Sequence, residues 1–219
     1  MTGLVYLFFF LSGLSGLIYQ VVWVRLFGNV FGNTLYSTSL VVAVFMLGLG
    51  VGSYVVGAWA DRRYAIERES LLRAYGYFEL AVGVLGLGLS VLLPHLGEVS
   101  AVVSSYSRNP NGWYVLSTTS YLTRGAIAIF LLTPVTVLMG GTLTLLIRHL
   151  VRNDFEIGSW RIAVLYGINT AGAALGCLLT DFALVPASGL FGAQMVAVFL
   201  NISAAGGALY VASRPKGRV

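Results

Sequence analysis

Charge is scarce in this sequence. Only 10% of its 219 residues are Asp, Glu, Lys or Arg, against about 25% in soluble domains, too few to clothe a water-soluble globule. Cysteine is scarcer: Cys177 stands alone, which excludes an internal disulfide and any cysteine-based metal cluster. The two histidines, His95 and His149, sit at the ends of apolar runs with no second ligand at helical spacing, so no metal is expected. The period-two alternation of a barrel strand is missing. So are an H-E-x-x-H motif and any Ser/His or paired-Asp arrangement at helical spacing. Neither an enzyme, a cofactor nor a nucleic-acid partner is expected.

Apolar side chains dominate what is there. They make up 58% of the chain, mean hydropathy is +0.86, and continuous apolar runs of about 20 residues recur, each able to cross a hydrocarbon core. Within lipid, backbone groups must bond to one another, and continuous runs do so as helices. The expected fold is an all-α polytopic membrane protein of about six helices. The spans fall near 4–26, 34–60, 71–95, 121–147, 161–186 and 190–213, with breakers at "FGNVFGN", "PHLGE" and "PASGLFG". The first run is too long for a signal peptide's apolar region, lacks a basic leader and a cleavage site, and reads as a retained span. Residues 1–213 thus form one transmembrane domain, and 214–219 a basic cytoplasmic tail.

Arginine placement predicts orientation. Arg62, Arg63, Arg68, Arg73, Arg148, Arg152, Arg161, Arg214, Lys216 and Arg218 fall on one side of the expected bundle, and Arg25, Arg108 and Arg124 on the other. The positive-inside rule then makes both termini cytoplasmic, in the cell (inner) membrane. The sizeable outer loop, 97–120, carries Tyr106, Arg108, Trp113 and Tyr114 around an "NPNG" turn. Two readings stay open for it: a hairpin with aromatics at headgroup level, or a docking surface for an extracytoplasmic partner.

The glycine-rich stretch "FMLGLGVGSYVVGAWADRR" invites a phosphate-cradle reading, which its context rejects. It lacks the Lys-Ser/Thr of a P-loop and lies in a span rather than at a strand-to-helix turn. Gly48 and Gly52 are four apart, as are Gly172 and Gly176, so each pair lines one helix face and admits a neighbouring backbone. Both pairs fall in the second member of a helix triplet, a hint of internal repetition. The stretch ends in Gly57, Asp61, Arg62 and Arg63, expected in a short cytoplasmic loop. This resembles the Gly-x-x-x-Asp-Arg signature of the major facilitator superfamily, without its later glycine and arginine.

Polar groups inside spans are costly and mark either buried pairing or function. Glu79, Asp181, Arg124, Arg25, Gln20 and Asn169 are such groups. Asp181 is expected to pair with Arg124 or Arg25. The functional reading is a cation or proton-linked site with Glu79 or Asp181 as carboxylate and Tyr19, Gln20 and Asn169 as neutral contacts. Pro134, followed by Gly140 and Gly141, suggests either a broken helix at a binding site or a tolerated kink.

The stretch "FFLSGLSGLIYQVVWVRLFGNVFGNTLYSTSLVVAVFMLGLGVGSYVVGAWADRR" resembles the opening of the membrane-embedded spermidine synthase-like proteins. "YFELAVGV", "PVTVLMGGTLTLLIRHL" and "LYGINTAGAALGCLLTDFALVPASGL" continue the resemblance in order. It implies a bundle similar to half of a major facilitator transporter, usually followed by a soluble aminopropyltransferase-like domain. This sequence ends at "SRPKGRV", where that domain would begin. A non-catalytic scaffold or anchor is therefore expected, either for a synthase-like partner domain or as a subunit of a larger membrane complex. The alternative is a half-size transporter of a small cationic solute working as a dimer. Expected partners are the bilayer and either other membrane subunits or a second copy.

Overall fold

The computed structural model describes residues 2–32, 35–64, 70–102, 104–150 and 155–214. Seven helices make up nearly all of it: α1 (Thr2–Phe31), α2 (Leu35–Tyr64), α3 (Ser70–Leu92), α4 (Leu96–Val102), α5 (Thr118–Leu150), α6 (Phe155–Leu179) and α7 (Val185–Ser213). A 3₁₀ turn, Leu93–His95, joins α3 to the short α4, and a π-helical turn, Thr180–Leu184, joins α6 to α7. Arg68, Arg152, Lys216 and Arg218 lie outside the described residues, as does the tail beyond Arg214.

Five stretches are long and apolar enough to cross a membrane: Gly3–Phe31, Leu35–Arg63, Ser70–Glu98, Thr118–Leu150 and Ser159–Ser213. The protein is a candidate multi-pass helical membrane protein. The last stretch has 55 residues, which as one straight helix would measure about 80 Å, far beyond any bilayer. It is not straight. Gly189 takes φ 70° and ψ −177°, a region essentially reserved for glycine, and breaks the helix within the expected "PASGLFG" breaker.

Large apolar side chains occur both in the core and on the outside. Large residues such as Tyr54, Phe130, Phe182 and Phe199 are exposed. Glycines sit where helices touch. A Cβ on Gly48 would lie 1.9 Å from Thr136 Oγ1, one on Gly52 2.0 Å from the Val137 carbonyl oxygen, and one on Gly140 2.2 Å from that of Leu49. These contacts press α2 against α5. Gly172 and Gly176 do the same for α6 against α1, where a Cβ on either would lie 2.3 Å from the carbonyl oxygen of Phe10 or Leu14 respectively. Such close approach gains dispersion contact where lipid offers helices no hydrophobic drive to associate.

The helix contacts repeat. With the chain divided into α1–α2–α3 and α5–α6–α7, α2 packs on α5 as α6 packs on α1, α1 on α7 as α5 on α3, and α3 on α7. Matched positions advance together along α2 and α5, and along α1 and α6, so each pair is parallel. Along α3 and α7 they run oppositely, Gly76 meeting Leu209 and Gly86 meeting Gln194. The triplets are related as two inverted copies, with α3 and α7 meeting at the centre.

The link between triplets is more ordered than a loop. Within the expected 97–120 segment, α4 covers the start, and strands β1 (Tyr106–Arg108) and β2 (Tyr114–Leu116) form an antiparallel hairpin. Its turn is closed by Asn109, whose Oδ1 accepts from the backbone N–H of Asn111 and Trp113, and by Gly112 at φ 85°. Tyr106, Trp113 and Tyr114 are exposed, and Arg108 Nε donates to the Gly112 carbonyl.

Pro134 does not break α5, which continues from Thr118 to Leu150. Pro134 instead lines an apolar cleft of about 630 Å³ between α3 and α5, with His95 among the other lining residues.

Candidate functional site

Two apolar clusters fill the bundle. One gathers Ile18, Tyr19, Trp23, Phe27, Phe45, Val82, Leu89 and Val198. The other gathers Phe8, Phe9, Leu71, Leu72, Tyr75, Leu145 and Ala204. A thin polar layer lies where they meet, drawn from α1, α3 and α7. Glu79, 1% exposed, is at its centre. Asn201 of α7 donates from Nδ2 to Glu79 Oε2 at 2.6 Å. Ser12 of α1 and Tyr75 of α3 stand beside the same carboxyl, Tyr75 one helical turn before Glu79. Tyr19 of α1 stacks on Trp23 at 5.1 Å and crosses to α3 where Gly86 has no side chain, since a Cβ there would lie 2.5 Å from Tyr19 Oη. Gln194, seven residues before Asn201 and so on the same helix face, donates to the Gly86 carbonyl at 3.1 Å.

The layer is incompletely bonded. Glu79 Oε1, Asn201 Oδ1, Tyr19 Oη, Tyr75 Oη, Gln20 Oε1 and Trp23 Nε1 are buried with no hydrogen-bond partner among the described residues. Nor does any described residue place a cationic side chain against Glu79. The other buried charged residue, Arg124, is committed elsewhere: it donates to the Phe31 carbonyl and to Ser104 Oγ, each at 2.7 Å, and lies over the Phe31 ring. A carboxylate charge in such surroundings is costly unless neutralised.

The expected site residues divide into separate groups. Glu79 and Tyr19 share the polar layer, and Gln20 flanks Tyr19, half-buried. Asn169 belongs to the α1–α6 contact instead, its Oδ1 beside Gly13. Asp181 stands in the π-helical turn and pairs with Arg25 at 2.7 Å, both partners close to half exposed. Of its two expected partners it takes Arg25, because the carbonyl at the end of α1 occupies Arg124. Asp61, Arg62 and Arg63 are not in a loop but in the last turn of α2. There Asp61 accepts from Arg148 Nε of α5, and Arg63 lies over Trp59. Gly57 meets only the Thr144 side chain, at ordinary distance.

Ser12, Tyr75, Gln194 and Asn201 complete the layer and were not expected from sequence. The seven-residue spacing of Gln194 and Asn201 in an otherwise apolar helix was the available signal.

The sequence is similar to that of a curated protein. Over 197 residues the chain is 28% identical to a polyamine aminopropyltransferase of Corynebacterium efficiens, a match covering 87% of this chain and 32% of that protein. The chain therefore spans about a third of the curated relative's length. No family model matches it, and no solved structure does.

Proposed function

We propose that the chain is a non-catalytic membrane domain that anchors or scaffolds an aminopropyltransferase-like partner at the inner face of the cell membrane. The observation that carries this reading is the shape of the similarity: nearly all of this helical chain corresponds to a minor part of a much longer aminopropyltransferase. The transferase chemistry of that relative then belongs to the part that this chain does not match. In this reading the bundle crosses the bilayer six times, α6 and α7 crossing separately. The antiparallel course of α7 beside α1, opposite to that of α6, supports this count. Both termini lie in the cytoplasm, where Arg62, Arg63, Arg148 and Arg214 gather, and the bundle is similar to half of a facilitator transporter.

The test is native mass spectrometry of the chain extracted from its own membrane in mild detergent, with co-migrating polypeptides identified. A fixed stoichiometry with an aminopropyltransferase-like polypeptide is expected. A lone dimer would instead favour the second reading, a half-size transporter of a small cationic solute. The buried carboxylate is the observation behind that alternative.

A further inference from the structure

We propose that Glu79, Asn201, Tyr75, Tyr19 and Ser12 form a binding site for a single small monovalent cation, Na⁺ in the first instance. The site is independent of the anchoring role and requires no translocation. Three observations converge on it.

The first is charge. Glu79 is fully enclosed by α1, α3 and α7, and the described residues facing it are hydroxyls and an amide: Ser12 and Tyr19 from α1, Tyr75 from α3, Asn201 from α7. One positive charge makes this layer neutral, whereas a divalent ion leaves an excess that the surrounding hydrocarbon penalises as heavily as the bare carboxylate.

The second is donor chemistry. Asn201 fixes one carboxylate oxygen through Nδ2, which leaves Glu79 Oε1 with only the Ser12 and Tyr75 hydroxyls beside the carboxyl and Asn201 Oδ1 with no donor. The Tyr19 hydroxyl adds an oxygen without a partner, and the Tyr75 hydroxyl adds one beside the carboxyl. Unsatisfied buried polar atoms are rare and call for an explanation such as an ion. An all-oxygen set suits a hard cation and not a thiophilic metal. Close packing, in which Tyr19 fits only because residue 86 is glycine, favours a small ion over a large one.

The third is position. Glu79 and Asn201 belong to the third helix of each triplet, and their bond lies midway along the antiparallel α3–α7 contact. That is the centre of the inverted pair and the boundary between the two apolar clusters. Bundles built from inverted repeats hold coupling ions near the midplane at the interface between the repeats.

The experiment is thermal unfolding of the full chain in nanodiscs, in sodium, potassium or choline chloride at equal ionic strength. Sodium is expected to raise the midpoint saturably, potassium less and choline not at all, since a ligand that binds only the folded state stabilises it by mass action. Glu79→Gln should raise the half-saturating sodium concentration about ten- to hundredfold, the loss expected for a charged contact. Tyr75→Phe removes one oxygen with little change of shape and should weaken the response severalfold, which keeps the test alive if Glu79→Gln does not fold. Asp181→Asn should leave the response unchanged, because Arg25 holds that carboxylate. The site is overturned by a midpoint that is indifferent to the cation, or by a sodium response that survives Glu79→Gln. A midpoint that follows pH identically in all three salts also overturns it, because the resident charge is then a proton.

Discussion

At the residue scale, Arg124 and Arg25 are two arginines of similar expected role with opposite energetic weight. Arg124 is 6% exposed and supplies two charged hydrogen bonds that tie α5 to the end of α1 and to Ser104. Arg25 meets Asp181 where both side chains are close to half exposed, and pairs of that kind contribute little. Arg124→Met should therefore destabilise the bundle by about 3 kcal/mol, each charged bond contributing about 1.5–3 kcal/mol. Arg25→Met should cost about 0.5 kcal/mol. Equilibrium unfolding in detergent would read the contrast, and equal effects would refute it. Sequence marked both residues as intramembrane cations, and it marked Glu79 as an intramembrane acid. The partners were not legible. Asn and Tyr occur in many apolar helices without consequence, and only the register of α3 against α7 brings Asn201 to Glu79. Likewise, Arg124 could be assigned to Asp181 until the end of α1 was known to stand nearer.

At the element scale, the spacing of Gly48 with Gly52 and of Gly172 with Gly176 singles out one face on each helix, and these glycines lie against α5 and α1 respectively. Which helix each face would meet depends on how the triplets assemble, and no periodicity encodes that. The contacts rank the glycines in a testable way. A Cβ on Gly52 would sit inside the backbone of α5, which cannot move aside, whereas Gly50 has nothing within 4 Å. Gly52→Val should thus separate α2 from α5 and cost about 3 kcal/mol or more, at the upper end of overpacking penalties. Gly50→Ala should be neutral or stabilising by up to about 1 kcal/mol through helix propensity. Thermal midpoints of the two variants in the same detergent would check the order. The short elements were less legible. In the segment expected as an outer loop, α4 had no signal, whereas the hairpin was one of the two readings given, and there Asn109 and Gly112 close the turn while Ser105, Ser117 and Ser120 bond to one another behind it. The expected cytoplasmic loop at Asp61 is instead the last turn of α2, where Asp61 accepts from Arg148 Nε of α5.

At the scale of the whole molecule, the chain is two inverted triplets joined through α4 and the hairpin, and this arrangement has a consequence for how it enters a bilayer. The helix contacts inside the bundle are the same whichever end faces the cytoplasm, so packing does not choose between the two orientations. The choice falls to what differs between the two ends, among the described residues Arg62, Arg63 and Arg148 at one and α4 with the hairpin at the other. Neutralising Arg62, Arg63 and Arg148 while adding lysines to the hairpin should therefore produce molecules inserted both ways round, with the fold preserved in each. Labelling of single cysteines placed at opposite ends would detect the mixture, and a uniform population would argue against it. A protein with this architecture is a few substitutions away from dual topology, a condition in which one sequence supplies both members of an antiparallel pair.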